Sequence, residues 1–271
     1  MIKCLFIIFL ILFILIINNI NEKYNNLKNN NIPNIIYKTG PFDKITNNDI
    51  LKVFKNNEEK LNGQIKYYND KQIYNFIKKH FDKDVLKALS MLIPGAYKSD
   101  IWRLCVLYIN GGIYTDLTHQ FLKNIDVNKE DYDILFVKDR ENMIHNSFII
   151  SKKNNLFLKY CINEITKQIL KKNKGENCLD ITGPKALQRH YFKYFNVDKI
   201  ELGTNKLKGL DNVTYIVSIP YYFIKEGVYF NDLNNNKIVK EKIENNAELL
   251  YENFNEPHYV KHWNNNNVFK K

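Results

Sequence analysis

Three side chains in the middle of the chain have the types and spacing to grip a polar ligand: Asp100, Arg103 and Asp116. Asp100 and Arg103 stand three apart, so on a helix they project on neighbouring parts of one face. A carboxylate accepts hydrogen bonds and a guanidinium offers a rigid fork of donors, so the pair can hold a ligand with both hydroxyls and negative charge. The plain alternative is a solvated surface ion pair, which stabilises a helix by only ~0.2–0.5 kcal/mol.

The stretch that must position them runs from Pro94 to Gln120. Pro94-Gly95 is a breaker pair, so a helix is expected to begin near Ala96. Ile101, Leu104, Cys105 and Tyr108 then recur at the three- and four-residue steps of one helix face. Gly111-Gly112 ends that helix, because glycine takes the left-handed conformation a C-terminal cap requires. Ile113-Tyr114-Thr115 reads as a short strand that delivers Asp116 at or just after its end.

Around this unit, strand and helix patterns alternate. Ile32–Lys38 and Gln64–Tyr68 read as strands and Thr46–Lys60 as a helix. Asn69-Asp70 offers an N-cap for one long helix whose stripe runs from Ile73 to Leu89. His80 on that stripe reads as a packed histidine. Asp133–Val137, Asn146–Ser151 and Val213–Ile219 are further strand candidates, Leu156–Leu170 and Lys185–Tyr194 further helices. Residues 231–246 are rich in Asn and Lys and read as an irregular insertion. Such alternation implies an α/β sheet, in which ligands collect beyond the carboxyl ends of strands, where Asp116 is expected.

Composition narrows the function classes. The net charge of +11 comes from scattered lysines, without an Arg-rich block or zinc-finger spacing, which argues against nucleic acid as a partner. Cys4, Cys105, Cys161 and Cys178 have neither metal nor disulfide spacing and read as free thiols. Residues 4–17 are uninterrupted apolar, a length that spans about 21 Å as a helix against a hydrocarbon core of about 30 Å. Residues 1–20 are therefore expected to act as a signal-anchor, giving a single-pass membrane protein of an ER- or Golgi-like or host endomembrane. The alternatives are a cleaved signal peptide, and hence secretion, or a buried soluble helix. Lysines on both sides leave the orientation open. Residues 21–31 are expected to be an Asn-rich stem, and 32–271 a single domain.

Ser99, Asp100, Trp102, Arg103, Leu107, Gly111, Gly112, Tyr114 and Asp116 form the pattern SD-x-W-R-x-x-x-L-x-x-x-GG-x-Y-x-D. This resembles the sugar-nucleotide-binding region of glycosyltransferase family 32, a group that includes fungal initiating mannosyltransferases and capsular-polysaccharide enzymes. The region is also similar to the glucosyltransferase domains of large clostridial toxins. Ile32–Tyr37 resembles the family's opening strand, Asn146–Ser151 its Asn-x-Phe-x-x-Ser strand, Thr182-Gly183-Pro184 its Thr-Gly-Pro turn, and Tyr259–Trp263 its terminal segment. One departure is plain: the family usually carries Asp-x-Asp, whereas this chain has Asp116-Leu117-Thr118.

The resemblance implies a GT-A-like fold, a Rossmann-like mixed sheet flanked by helices. It also implies a retaining, metal-dependent transferase that moves a hexose from a nucleoside-diphosphate sugar to a glycan, lipid or protein acceptor. In that reading Asp100, Arg103 and Asp116 are catalytic. Ser99, Gly111, Gly112, Tyr114, Asp116 and Thr118 bind the donor, and Asn146, Thr182 and Gly183 lie on the acceptor side. Mn²⁺ or Mg²⁺ is held by Asp116, Thr118 and His262, with His119 a further candidate, because these cations prefer oxygen ligands and Mn²⁺ also accepts imidazole. The alternative is a degenerate nucleotide-sugar-binding module that lost turnover with the second acid.

Overall fold

The computed structural model describes residues 31–139, 141–224, 227–241 and 258–270. The expected signal-anchor at 1–20, and all of the stem but Asn31, lie outside the described residues. Among the described residues, no helix is long and apolar enough to cross a membrane. Ile32–Lys271 forms one compact unit.

Its elements run β1 (Ile35–Thr39), α1 (Asn48–Leu61), β2 (Gln64–Tyr68), α2 (Asp70–His80), α3 (Lys83–Met91), α4 (Gly95–Asn110) and β3 (Gly112–Thr115). They continue through β4 (Gln120–Phe121), β5 (Ile134–Lys138), β6 (Ile144–Ser151), α5 (Leu156–Leu170) and α6 (Pro184–Phe195). The chain then forms β7 (Gly203–Lys208), β8 (Val213–Ile224), β9 (Gly227–Asn231), β10 (Lys237–Lys240) and α7 (Tyr259–Asn264). The described strands join in the order β2-β1-β3-β6-β5-β8-β9-β10-β4, with β7 paired to β8. β1 runs parallel to β2 and β3, and β5 parallel to β8, while β6 is antiparallel to both β3 and β5. This is the mixed α/β sheet that the alternation implied.

The strand sequences explain why helices sit where they do. In β5, Ile134 and Phe136 face one apolar cluster, and Leu135 and Val137 face another; Ile149 in β6 and its neighbours Phe148 and Ile150 divide in the same way. Successive side chains point to opposite faces of a strand, so continuous apolar runs demand cover on both. Helices α2 to α6 supply much of one cluster, whereas the other is closed by Leu61, Phe121, Phe230 and Val239.

Two boundaries differ from expectation for local reasons. The long helix expected after Asn69 is two helices: Asp82 turns extended and its side chain accepts from the backbone N–H of Asp84 and Val85, starting α3. The described part of the region expected to be an irregular insertion, 231–241, instead holds the last residue of β9, a turn and β10. β10 pairs with β4 directly after the Asp116 loop, while 242–246 lie outside the described residues. Two Asn side chains shape that hairpin turn, with Asn231 donating to Asn235. Asn richness thus marked a turn between strands, not the loss of them.

Candidate functional site

Helix α4 is buried nearly all round: Ile101, Trp102, Leu104, Cys105, Val106 and Leu107 all have 0% exposure. A helix apolar on most sides belongs inside a fold, so Asp100 and Arg103 are carried inside with it, while Lys98 in its first turn stays partly exposed. Asp100 and Arg103 are therefore not a solvated surface pair. Arg103 Nη2 lies 3.0 Å from Asp100 Oδ1 and 3.4 Å from Asp116 Oδ1. The two carboxylates approached from helix and strand thus meet at one guanidinium.

Every part of this knot has a second tie. Asn146 Nδ2 donates to Asp100 Oδ1 (2.9 Å) and Thr182 Oγ1 to Asp100 Oδ2 (2.8 Å). Arg103 also donates to the Asn146 carbonyl and lies 4.4 Å from the centre of the Tyr114 ring. The Tyr114 hydroxyl donates to Asp116 Oδ1 (2.8 Å), while the Asp116 N–H donates to the Ser147 carbonyl. Buried charges are tolerated only when paired and hydrogen-bonded in this way.

The carboxyls diverge electrostatically. Burial pushes Asp100 up, and Arg103 with the Thr182 and Asn146 hydrogen bonds offsets this only in part. Burial also pushes Asp116 up, but Arg103, His119 and the Tyr114 hydroxyl outweigh it and hold Asp116 below the usual carboxylate range. Burial works against the charge on Arg103, yet Tyr114, Asp116 and Asp100 raise it above its ordinary value. Asp116 therefore stays an anion, with its side chain 42% exposed.

A cleft of about 580 Å³ opens over these groups, lined by Asp100, Arg103, Asp116, His145, Asn146 and Glu241 among others. It lies beyond the carboxyl end of β3 and beside the start of β6, where α/β sheets bind ligands. The loop carrying Asp116 is held from below by Lys38 of β1, which is fully buried. Its ammonium donates to the carbonyls of Asp116 (2.8 Å), Leu117 (3.4 Å) and His119 (3.2 Å). Asn57 adds a bond to the His119 carbonyl.

The expected site residues separate into three groups. Asp100, Arg103, Asp116, Asn146 and Gly183 line the cleft. Tyr114 and Thr182 sit one contact behind, bound to Asp116 and Asp100, so Thr182 and Asn146 support Asp100 where contact with an acceptor was expected. Gly111 and Gly112 lie at the opposite end of β3 from Asp116. There they have positive φ, and a Cβ on Gly112 would stand 2.8 Å from the Ile35 carbonyl. They turn helix into strand and do not reach a donor in the cleft. Ser99 donates back to the Gly95 carbonyl within α4.

The expected metal ligands are rearranged too. His262 is buried in α7 with Nδ1 against the Asn267 carbonyl, and it is not among the residues lining the cleft. His119 is 1% exposed, packed edge-on against Phe230, and lies outside the lining as well. Thr118 donates its hydroxyl to the Glu241 carbonyl (3.0 Å). Sequence reasoning missed Glu241 and His145. His145 stacks on Tyr221 with ring centres 5.0 Å apart, and its Nε2 lies 3.6 Å from Glu241 Oε1. Burial lowers the His145 pKa to about 4, leaving a neutral imidazole near neutral pH.

Among the described residues, no three His, Cys, Asp or Glu side chains are gathered closely enough to hold a metal ion by themselves. The donors facing the cleft are nonetheless of the kind that suits Mn²⁺ or Mg²⁺: two carboxylates, Asp116 and Glu241, and a neutral imidazole. Such cations commonly take one or two carboxylates and complete their shell with phosphate oxygens and water.

No curated protein matches the chain significantly. A solved structure described as PaToxG Glycosyltransferase is similar over 59% of this chain and 68% of its own, at 18% identity and a TM-score of 0.48. Residues 44–147 match the profile described as glycosyltransferase sugar-binding region containing DXD motif. That span holds Asp100, Arg103, Asp116, His145 and Asn146, so the part of the chain that is similar to a glycosyltransferase sugar-binding region supplies these five cleft residues.

Proposed function

We propose that this chain is a retaining glycosyltransferase that moves a hexose from a nucleoside-diphosphate sugar to a glycan, lipid or protein acceptor. The observation that carries the reading is the meeting of Asp100, Arg103 and Asp116 in one cleft inside the profile-matched span. Asp100 faces the sugar hydroxyls, Arg103 aims both carboxylates and holds Asp116 ionised, and Asp116 faces the diphosphate end of the donor.

Charge supports a cation in the reaction. Among the described lining residues, the carboxylates are Asp100, Asp116, Asp139, Glu141 and Glu241, against the single guanidinium of Arg103. A diphosphate meeting that wall is repelled unless a cation accompanies it. A divalent ion, when bound, would neutralise charge building on the leaving group. Membrane attachment through residues 1–20 remains part of the proposal.

The test is a panel of UDP- and GDP-sugars offered to the purified chain with Mn²⁺. The expected result is release of nucleoside diphosphate, lowered by roughly 10²-fold in Asp116→Asn. No turnover of any donor, with or without acceptors, would overturn the reading. Thr118 in place of the second acid favours a second one, a module that binds nucleotide sugar without turnover. Calorimetric binding without hydrolysis or transfer selects it, and activity gained by Thr118→Asp identifies the cause.

A further inference from the structure

We propose that Glu241 supplies the carboxylate that Thr118 lacks, and that with Asp116 it forms a divalent-cation site completed by the diphosphate of the donor. The inference deepens the transferase reading and rests on it.

The hairpin makes this geometry. β10 pairs with β4 through Val239↔Phe121 and Lys240↔Gln120, so the residue after Lys240 is brought alongside the loop that precedes β4. Thr118 Oγ1 then donates to the Glu241 carbonyl, fixing the backbone of one beside the side chain of the other. The Glu241 N–H donates to the Val228 carbonyl, so β9 anchors it as well. Its side chain, 18% exposed, lines the same cleft as Asp116, and its Oε1 lies 3.6 Å from His145 Nε2.

A threonine hydroxyl is neutral, so at the family's second position it offers an oxygen without the charge that binds a hard cation. In this chain the hydroxyl has another use. It ties down a segment far along the sequence that carries the missing charge. His145 packs beside that carboxylate and is itself held by the contact between its Nδ1 and Ser147 Oγ (2.7 Å). Metal-ligating groups are commonly oriented by such outer contacts. With two carboxylates as its protein ligands, the site needs the donor's phosphate oxygens and water to fill its shell. The assignment therefore predicts cation binding that depends on nucleotide.

The experiment measures Mn²⁺ binding, by the paramagnetic resonance of free Mn²⁺ and by calorimetry, with UDP and separately with GDP. The wild-type chain is expected to hold Mn²⁺ with one of the two nucleotides. Glu241→Gln should weaken Mn²⁺ by at least ~10-fold. Adding Thr118→Asp to Glu241→Gln should restore most of the loss, which also shows that the fold persists. Mn²⁺ affinity within twofold of wild type in Glu241→Gln overturns the assignment. Nucleotide binding without Mn²⁺ in the wild type overturns it too, and leaves the transferase reading standing. A wild-type chain that binds neither nucleotide nor Mn²⁺ overturns both.

Discussion

The two walls of the cleft are built on different terms. On the helical side, Asp100 and Arg103 are buried and engage one another, Asn146 and Thr182. On the hairpin side, Asp116 and Glu241 line the cleft, with their backbones tied to Ser147, Val228 and Thr118. One wall uses its hydrogen-bonding capacity within the protein and so holds its shape without ligand. The other draws its position chiefly from the main chain, with Asp116 Oδ1 also meeting Tyr114 and Arg103. Rigid support and binding capacity are thus divided between two regions, as a preorganised site requires.

The sharpest way to break this comparison is to remove the shared guanidinium. Arg103→Leu leaves Asp100 buried beside Asp116 without a counter-charge, and should cost about 3–5 kcal/mol in chemical denaturation. A loss below 1 kcal/mol would mean that the helical wall is not held by its charges.

A second effect concerns the acid range and is read at a histidine on the helical side. His190 on α6 is 5% exposed, neither ring nitrogen has a partner among the described residues, and burial lowers its pKa to about 4. The unfolded chain takes up a proton near pH 6.5 and the folded chain does not. Stability should therefore fall as pH drops from about 6.5 to about 4, by up to roughly 3 kcal/mol. Replacing His190 by Leu should flatten that slope in denaturation curves collected across this range.

The smallest effect is expected at the hairpin. Thr118→Val removes the hydroxyl that meets the Glu241 carbonyl and should cost only about 1 kcal/mol of stability. It should still weaken Mn²⁺ binding in the presence of nucleotide, measured as above. A large stability loss without any change in Mn²⁺ binding would show that the hairpin wall is structural only.

The same division decides what was readable in the sequence. The helical wall and the residue facing it sit in a short contiguous motif: breaker pair, helix stripe, double glycine and strand place Asp100 and Arg103, and then Asp116 across from them, by local rules. Even there, spacing alone does not distinguish a buried pair from a surface one; the apolar residues on the remaining faces of α4 decide it. Gly111 and Gly112 belong to the motif for backbone reasons, since their positive φ and the close Ile35 carbonyl exclude a side chain. The hairpin wall was illegible because Glu241 reaches Thr118 only through long-range pairing of β10 with β4. Polar Asn- and Lys-rich sequence gave no apolar alternation strong enough to signal those strands. The family's terminal segment directed attention to His262, which packs inside α7.

Lys38 has a practical use beyond its place beneath the loop. Its amine is sealed at 0% exposure against three carbonyls, so acylating reagents that modify surface lysines should pass it by. Label appearing there would report each excursion in which the strand and the loop part company. The protein thus carries its own built-in clock for local opening at the mouth of the cleft.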